Sequence, residues 1–429
     1  MLKKYKTVEI DKNINLHVIK TDKFKTNMIN VYIKRPLSKD EVTKNALLSM
    51  VLSRGSKNFP TTMELSKELE GLYGAGFVCD AVKKGEKNII RFAIQLVNDR
   101  YVDEENVMKK GLYIINDFIN NPYILNHQFD ENYVVQEKKN LIERIEGRKN
   151  DKMSFAYGRC IEEMCQGEPY ALYEYGNIDD VNAITSKALY EHYKNVMSTS
   201  SVDISVVGDI DERLIEGLIK ENLKFNMDHI VDIKREQIQD ADKVTIIKEV
   251  MDINQGKLTL GYRTNIPYED KLYNALIVCS NILGGGANSK LFKNVREKES
   301  LCYYVFSRLQ KFKSLMMIAA GVEFENYDKA VSLIGKEVED MKKGNFSEED
   351  LMGAQNSIIT SIRSMSDSAG TLSDFYYTQS ICKNEDSLEK IIEKIRKVTK
   401  EEIVQVAQNI KLDTIYFLNN EEEGRTYEK

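Results

Sequence analysis

Residues 42–60 read VTKNALLSMVLSRGSKNFP, and the fold turns on this stretch. Val42, Ala46, Leu47, Met50 and Val51 recur at helical spacing, which predicts a helix with its apolar side buried. Gly55 is expected to end that helix in a left-handed conformation. Pro60-Thr61-Thr62 then leads into a second helix over roughly 62–73, with Thr62 as the expected N-cap.

Working outward, the chain is too long for one core, so its 429 residues imply at least two domains. A net charge of −6, from 61 basic and 67 acidic residues, argues against nucleic acid or a charged membrane surface as partner. No apolar run is long enough to span a bilayer, and MLKKYKTVEIDKN has no apolar signal core, so a cytoplasmic protein is expected. Six scattered cysteines form no C-x-x-C pair and read as buried thiols. Four histidines stand apart from one another and from any metal-ligand spacing. No cofactor is implied.

Strand-like alternation over 5–34 precedes the two helices, and LYGAGFVCDAVKKGEKNIIRFAIQLVN (72–98), whose two apolar runs flank Lys83-Lys84-Gly85-Glu86-Lys87, reads as a hairpin. A helical region runs from about 129 to 165 with a break near Gly147–Asp151. The second half repeats the pattern, with helices predicted over 268–284, 289–299, 327–343 and 347–380. VTKEEIVQVAQNIKLDTIYFLN (398–419) echoes ITSKALYEHYKNVMSTSSVDISVV (184–207), with Val398-Thr399 matching Ile184-Thr185. This is the signature of tandem duplication. The predicted architecture is α+β: two homologous domains, 1–223 and 243–429, each a mainly antiparallel sheet packed with helices. The polar stretch 224–242 is the linker between them.

The most specific motif lies in LGGGANSKLFKNVREKESLCYYVFS (283–307): a Gly-rich turn, Ser-Lys-Leu-Phe, then Arg296 and, seven residues later, Tyr303. With EPYALYEYGNIDDVNAIT (168–185), VVGDID (206–211) and the Arg54-Gly55-Ser56 turn, the whole chain resembles the pitrilysin/insulinase family of metallopeptidases. In that family the first helix carries H-x-x-E-H, and two such tandem-domain units enclose a peptidase chamber like the halves of a clam.

The resemblance exposes a loss. Aligned on Arg54-Gly55-Ser56, the three active positions of the family's motif are Ala46, Ser49 and Met50, and the third zinc ligand, a Glu on a later helix, falls at Arg144. Zinc needs imidazole nitrogens one turn apart, and hydrolysis needs a carboxylate to take a proton from the bound water. None of the four residues supplies either group, so no metal and no catalytic residue are expected. By the same resemblance, Arg296 and Tyr303 correspond to residues that hold the substrate, and Gly284, Gly285 and Gly286 to a peptide contact. Gly76, Phe77 and Val78 correspond to an edge strand that a peptide extends. In a chain without zinc, Arg296 and Tyr303 stand for packing, for holding a peptide, or for completing a partner's chamber. The implied function is the non-catalytic subunit of a two-chain peptidase, paired with a zinc-bearing H-x-x-E-H homologue. The alternative is a stand-alone peptide-binding scaffold, a homodimer, in the setting of elongation factor P modification that the resemblance also suggests.

Overall fold

The structure, a computed structural model, describes residues 2–103, 106–420 and 427–428. Among these residues the chain divides into two compact units that interleave along the sequence. Unit 1 comprises 1–146, 172–235 and 365–381, and unit 2 comprises 147–171, 236–364 and 382–429. No helix among the described residues is long and apolar enough to cross a membrane.

Unit 1 opens with strands β1 (Leu2–Asp11), β2 (Ile14–Thr21) and β3 (Thr26–Pro36), followed by α1 (Lys39–Leu52) and α2 (Thr62–Gly71). The hairpin β4 (Gly76–Lys84) and β5 (Lys87–Val97) follows, turning through Gly85 at φ +61°. Next come α3 (Val107–Asn120), a short hairpin of β6 (Ile124–Leu125) and β7 (Gln128–Phe129), and α4 (Glu131–Gly147). The chain then enters unit 2 as α5 (Lys152–Met164) and returns with α6 (Ile178–Ala183), α7 (Ser186–Thr199), β8 (Ser201–Gly208) and α8 (Glu212–Asn222). The sheet order is β1-β2-β8-β3-β5-β4, antiparallel except where β8 lies parallel to β2. Alternate residues Leu16, Val18, Ile29, Val31, Phe92 and Ile94 turn inward with Ala46, Leu47 and Leu112 into one core. Each fully buried aliphatic side chain there contributes about 1.5–3 kcal/mol.

Unit 2 is built from β9 (Thr245–Val250), β10 (Gly256–Arg263), α9 (Tyr273–Gly284), β11 (Cys302–Gln310), β12 (Leu315–Val322), α10 (Tyr327–Lys342) and α11 (Glu348–Met365). Helix α12 (Ala369–Ile381) belongs to unit 1, and the chain returns through α13 (Leu388–Lys397), α14 (Lys400–Gln408), β13 (Lys411–Asn419) and β14 (Tyr427–Glu428). The order β11-β12-β10-β13-β9-β14 parallels that of unit 1, and β13 is parallel to β9 as β8 is to β2. The matched helices α7 and α14 begin alike: Thr185 accepts from the backbone N–H of Ala188, and Thr399 from that of Glu402.

Two segments thus leave their half of the sequence, each at one of the helix breaks. The single helix expected over 347–380 is two, α11 and α12, separated by Ser366–Ser368. Helix α12 lies on the polar face of the first sheet. Ser373 receives a hydrogen bond from Asn30 at 2.9 Å and donates to Ser205 at 2.9 Å, and the Tyr377 ring stacks on Tyr32 with centroids 3.7 Å apart. Helix α5 lies on the second sheet. Gly261 of β10 sits so close to Met164 that an added Cβ would come within 2.6 Å of its sulfur. Glu168, just beyond α5, accepts from Arg263 at 3.0 Å and pairs with Lys313 at 2.6 Å. The contiguous halves 1–223 and 243–429 therefore differ from the compact units by these two exchanged segments, because burial of a sheet's second face, rather than chain order, decides what covers it.

Two local expectations also change. The N-cap of α2 is Thr61 rather than Thr62, in a reciprocal cap with Glu64. Gly55 does not end α1 in a left-handed conformation; α1 stops at Leu52. Glycine is needed at 55 because a Cβ there would meet the Pro60 carbonyl oxygen at 2.6 Å and that of Phe59 at 2.8 Å. The turn closes on itself, and only a residue without a side chain admits that approach.

Candidate functional site

The first candidate region is the face of α1 that would carry a metal. Ala46 is 1% exposed and belongs to the apolar core, and Met50 is half-buried against that core. Ser49 is 3% exposed and donates its hydroxyl to the Ala46 carbonyl at 2.9 Å, a bond within its own helix. Arg144 lies on α4, its guanidinium 5.0 Å from the centre of the Tyr175 ring. A carboxylate, an imidazole and a vacant coordination position are what zinc hydrolysis needs; this face offers a methyl, a thioether, a self-satisfied hydroxyl and a cation. The residues do not fit zinc. Among the described residues, no three of His, Cys, Asp or Glu converge elsewhere as a metal-binding set.

Sequence reasoning passed over the group that ties these helices together. Glu137 of α4 is buried and forms an ion pair with Arg54, just beyond α1. Glu137 and Arg144 are seven residues apart, two helical turns, so they share one face of α4. Only the burial of Glu137 identifies it, and nothing in its local sequence does.

The second region is β4, which ends the order of the first sheet, so its outer backbone groups face no strand among the described residues. Val78 is 47% exposed, Gly76 is exposed, and Phe77 leans inward, its ring 4.6 Å from that of Phe118. Such an edge is a template for an added strand.

The third region, in unit 2, is a cavity of about 360 Å³. One wall is the turn Gly284-Gly285-Gly286 that closes α9; Gly284 lies so near β11 that a Cβ would meet the Ser307 nitrogen at 2.4 Å. Ser280 of α9 and Ser307 of β11 share a hydrogen bond of 2.8 Å that fixes this spacing. A second wall is a π-helical segment, Phe292–Lys298, which brings in Phe292 and Arg296. Wide-turn helices of this kind recur at functional sites. The third wall is β11 itself, from Tyr304 to Arg308.

The cavity thus unites four of the anticipated binding residues, Gly284, Gly285, Gly286 and Arg296. Tyr303 does not line it: its side chain is 68% exposed, and the neighbouring Tyr304 takes the wall position. Gly76, Phe77 and Val78 belong to unit 1. Phe306 and Arg308 went unrecognised in the sequence, although alternation along YYVFSRL places them with Tyr304.

The Peptidase M16 inactive-domain family matches residues 183–358. The chain is 40% identical over 413 residues to the probable inactive metalloprotease YmfF of Bacillus subtilis, covering 95% of this chain and 96% of that one. It is 20% identical over 285 residues to an uncharacterized zinc protease of the same organism, YmxG, covering 66% of this chain and 69% of that one. A crystal structure of a conserved protein from Enterococcus faecalis V583 superposes with a TM-score of 0.89 at 30% identity, over 98% of this chain and 99% of that one. The chain belongs to the M16 peptidase family as an inactive peptidase homologue.

Proposed function

We propose that this protein is the non-catalytic subunit of a two-chain M16 peptidase, supplying peptide-holding surface and chamber wall to a zinc-bearing partner in the cytoplasm. The observation that carries the reading is a division within one molecule. The helix that would bind metal is packed as ordinary core around Ala46, while the cavity at Gly284–Gly286 and Arg296 stays open. A free β4 edge adds main-chain hydrogen bonding for an extended segment without sequence demands. Binding without cutting is useful where another chain cuts. Bacillus subtilis holds relatives of both kinds, one described as inactive and one as a zinc protease, which supports a pairing of unlike chains.

The test is native mass spectrometry of the protein purified gently from its own cells, with zinc analysis. A roughly equimolar second chain carrying H-x-x-E-H and one zinc is the expected result. A zinc-free homodimer would overturn the pairing and leave a stand-alone peptide-binding scaffold, for which association with elongation factor P modification is the first setting to examine.

A further inference from the structure

We propose that the cavity beside the Gly-rich turn is a carboxylate pocket, which selects peptides carrying an acidic side chain or a free C-terminus. This inference rests on the reading that the chain binds peptides, and it specifies which ones.

The argument begins with charge. The cavity walls carry two cations, Arg296 and Arg308, and no Asp or Glu. Both arginines are exposed, and among the described residues neither has a carboxylate within ion-pair distance. The contrast with the same unit's buried cations is direct. Arg263 is held by Asp413 and Glu168, and Lys313 by Glu168. Nearby Glu299 is engaged by Lys329 and is not part of the cavity lining. Two guanidinium groups at one concavity thus lack the counter-charge that the protein supplies elsewhere.

Both are also held in place. The Arg296 guanidinium lies 4.4 Å from the centre of the Phe292 ring, and Arg308 lies 5.5 Å from that of Phe306. Stacking on an aromatic face fixes the plane of a guanidinium and leaves its N–H edge free. That edge is a planar fork matching the two oxygens of a carboxylate, and a fork already oriented loses less entropy on binding. A neutral or basic side chain gains nothing from it.

The chain direction fits as well. Strand β11 ends the order of its sheet, so among the described residues no further strand pairs with its outer edge, where an extended peptide would add along the cavity rim. A peptide pairing there would present every second side chain toward Tyr304, Phe306 and Arg308. The cavity of about 360 Å³ admits one acidic side chain or a terminal carboxylate with its last residue.

The experiment uses the full chain and three fluorescent ten-residue peptides sharing one apolar sequence. The first has a central Asp and an amidated C-terminus, the second a central Asn and a free C-terminus, and the third a central Asn and an amidated C-terminus. Fluorescence anisotropy is expected to give the first or the second an affinity on the order of tenfold or more above the third, the scale of one charge-assisted contact. Which of the two gains identifies the source of the carboxylate. In Arg296→Gln and Arg308→Gln the ratio is expected to fall towards one; both side chains are exposed, so folding is preserved. Equal binding of all three peptides overturns the carboxylate proposal and leaves peptide binding standing. Absence of binding by all three overturns both.

Discussion

Arg54 and Glu137 form an ion pair that ties the end of α1 to the middle of α4, so the two helices are fastened to each other by charge. Glu137 is 4% exposed, and its carboxylate also receives a hydrogen bond from Asn140 at 3.1 Å. Replacing Arg54 with Ala leaves a buried carboxylate without its cation. The expected loss is about 2 kcal/mol, below the full value for a buried pair because Arg54 is partly exposed. Urea unfolding of Arg54→Ala measures it. A change under about 0.5 kcal/mol would show that the pair is an incidental surface contact.

Restoring the motif does not restore the site. In the triple variant Ala46→His, Ser49→Glu, Met50→His, two positions that are 1% and 3% exposed must accept larger polar groups, at a cost of roughly 3 kcal/mol or more. Arg144 still places a cation on α4, where the family resemblance puts the third ligand. Zinc titration is expected to give weak binding and no zinc-dependent rise in Tm. Tight stoichiometric binding would place the third ligand elsewhere.

Acid stability turns on His192. Burial, against the opposing charge of Glu41, lowers its pKa to about 4, while its Nε2 lies 2.8 Å from Asn45 Oδ1. The unfolded chain, with a value near 6.5, takes up the proton first, so stability is full above about pH 6.5 and falls as pH drops towards 4. The amplitude is roughly 3 kcal/mol. Urea midpoints across this range are expected to decline in the wild type and to flatten in His192→Gln.

A second group, the carboxylate of Asp203, acts in a lower window. Burial alone would raise Asp203, but hydrogen bonding from His17 and the charge of Lys34 outweigh it and hold the group at about 2. A depressed carboxylate stabilises above its unfolded value near 4, and that contribution is lost as pH falls through 2. Asp203→Asn is expected to cost about 2 kcal/mol at neutral pH and to abolish the change below pH 4.

The exchanged segment of unit 2 depends on Glu168. In Glu168→Gln, Arg263 and Lys313 lose their shared carboxylate, and a loss of about 3 kcal/mol is expected. Hydrogen exchange is expected to quicken first in α5, since the anchoring charge lies just beyond it. Uniform loosening of both units would contradict the assignment of α5 to the second sheet.

Much of this was already legible in residue types. Ligand chemistry belongs to a side chain whatever surrounds it, so Ala46, Ser49, Met50 and Arg144 exclude the zinc site as soon as the register is known. The two apolar runs flanking 83–87 gave the β4–β5 hairpin, and the match of 398–419 to 184–207 revealed the duplication, because these signals are local. Four other features were decided only in three dimensions. Glycine at 55 answers to the oxygens of Phe59 and Pro60, and Glu137 matters because it is buried beside Arg54. Tyr304, not Tyr303, meets the cavity, because that depends on how β11 sits against α9. The exchange of α5 and α12 follows from which polar or apolar face each sheet must cover. Local sequence fixes what an element is, whereas long-range burial decides which face it covers, and that balance is settled only when the whole chain is packed.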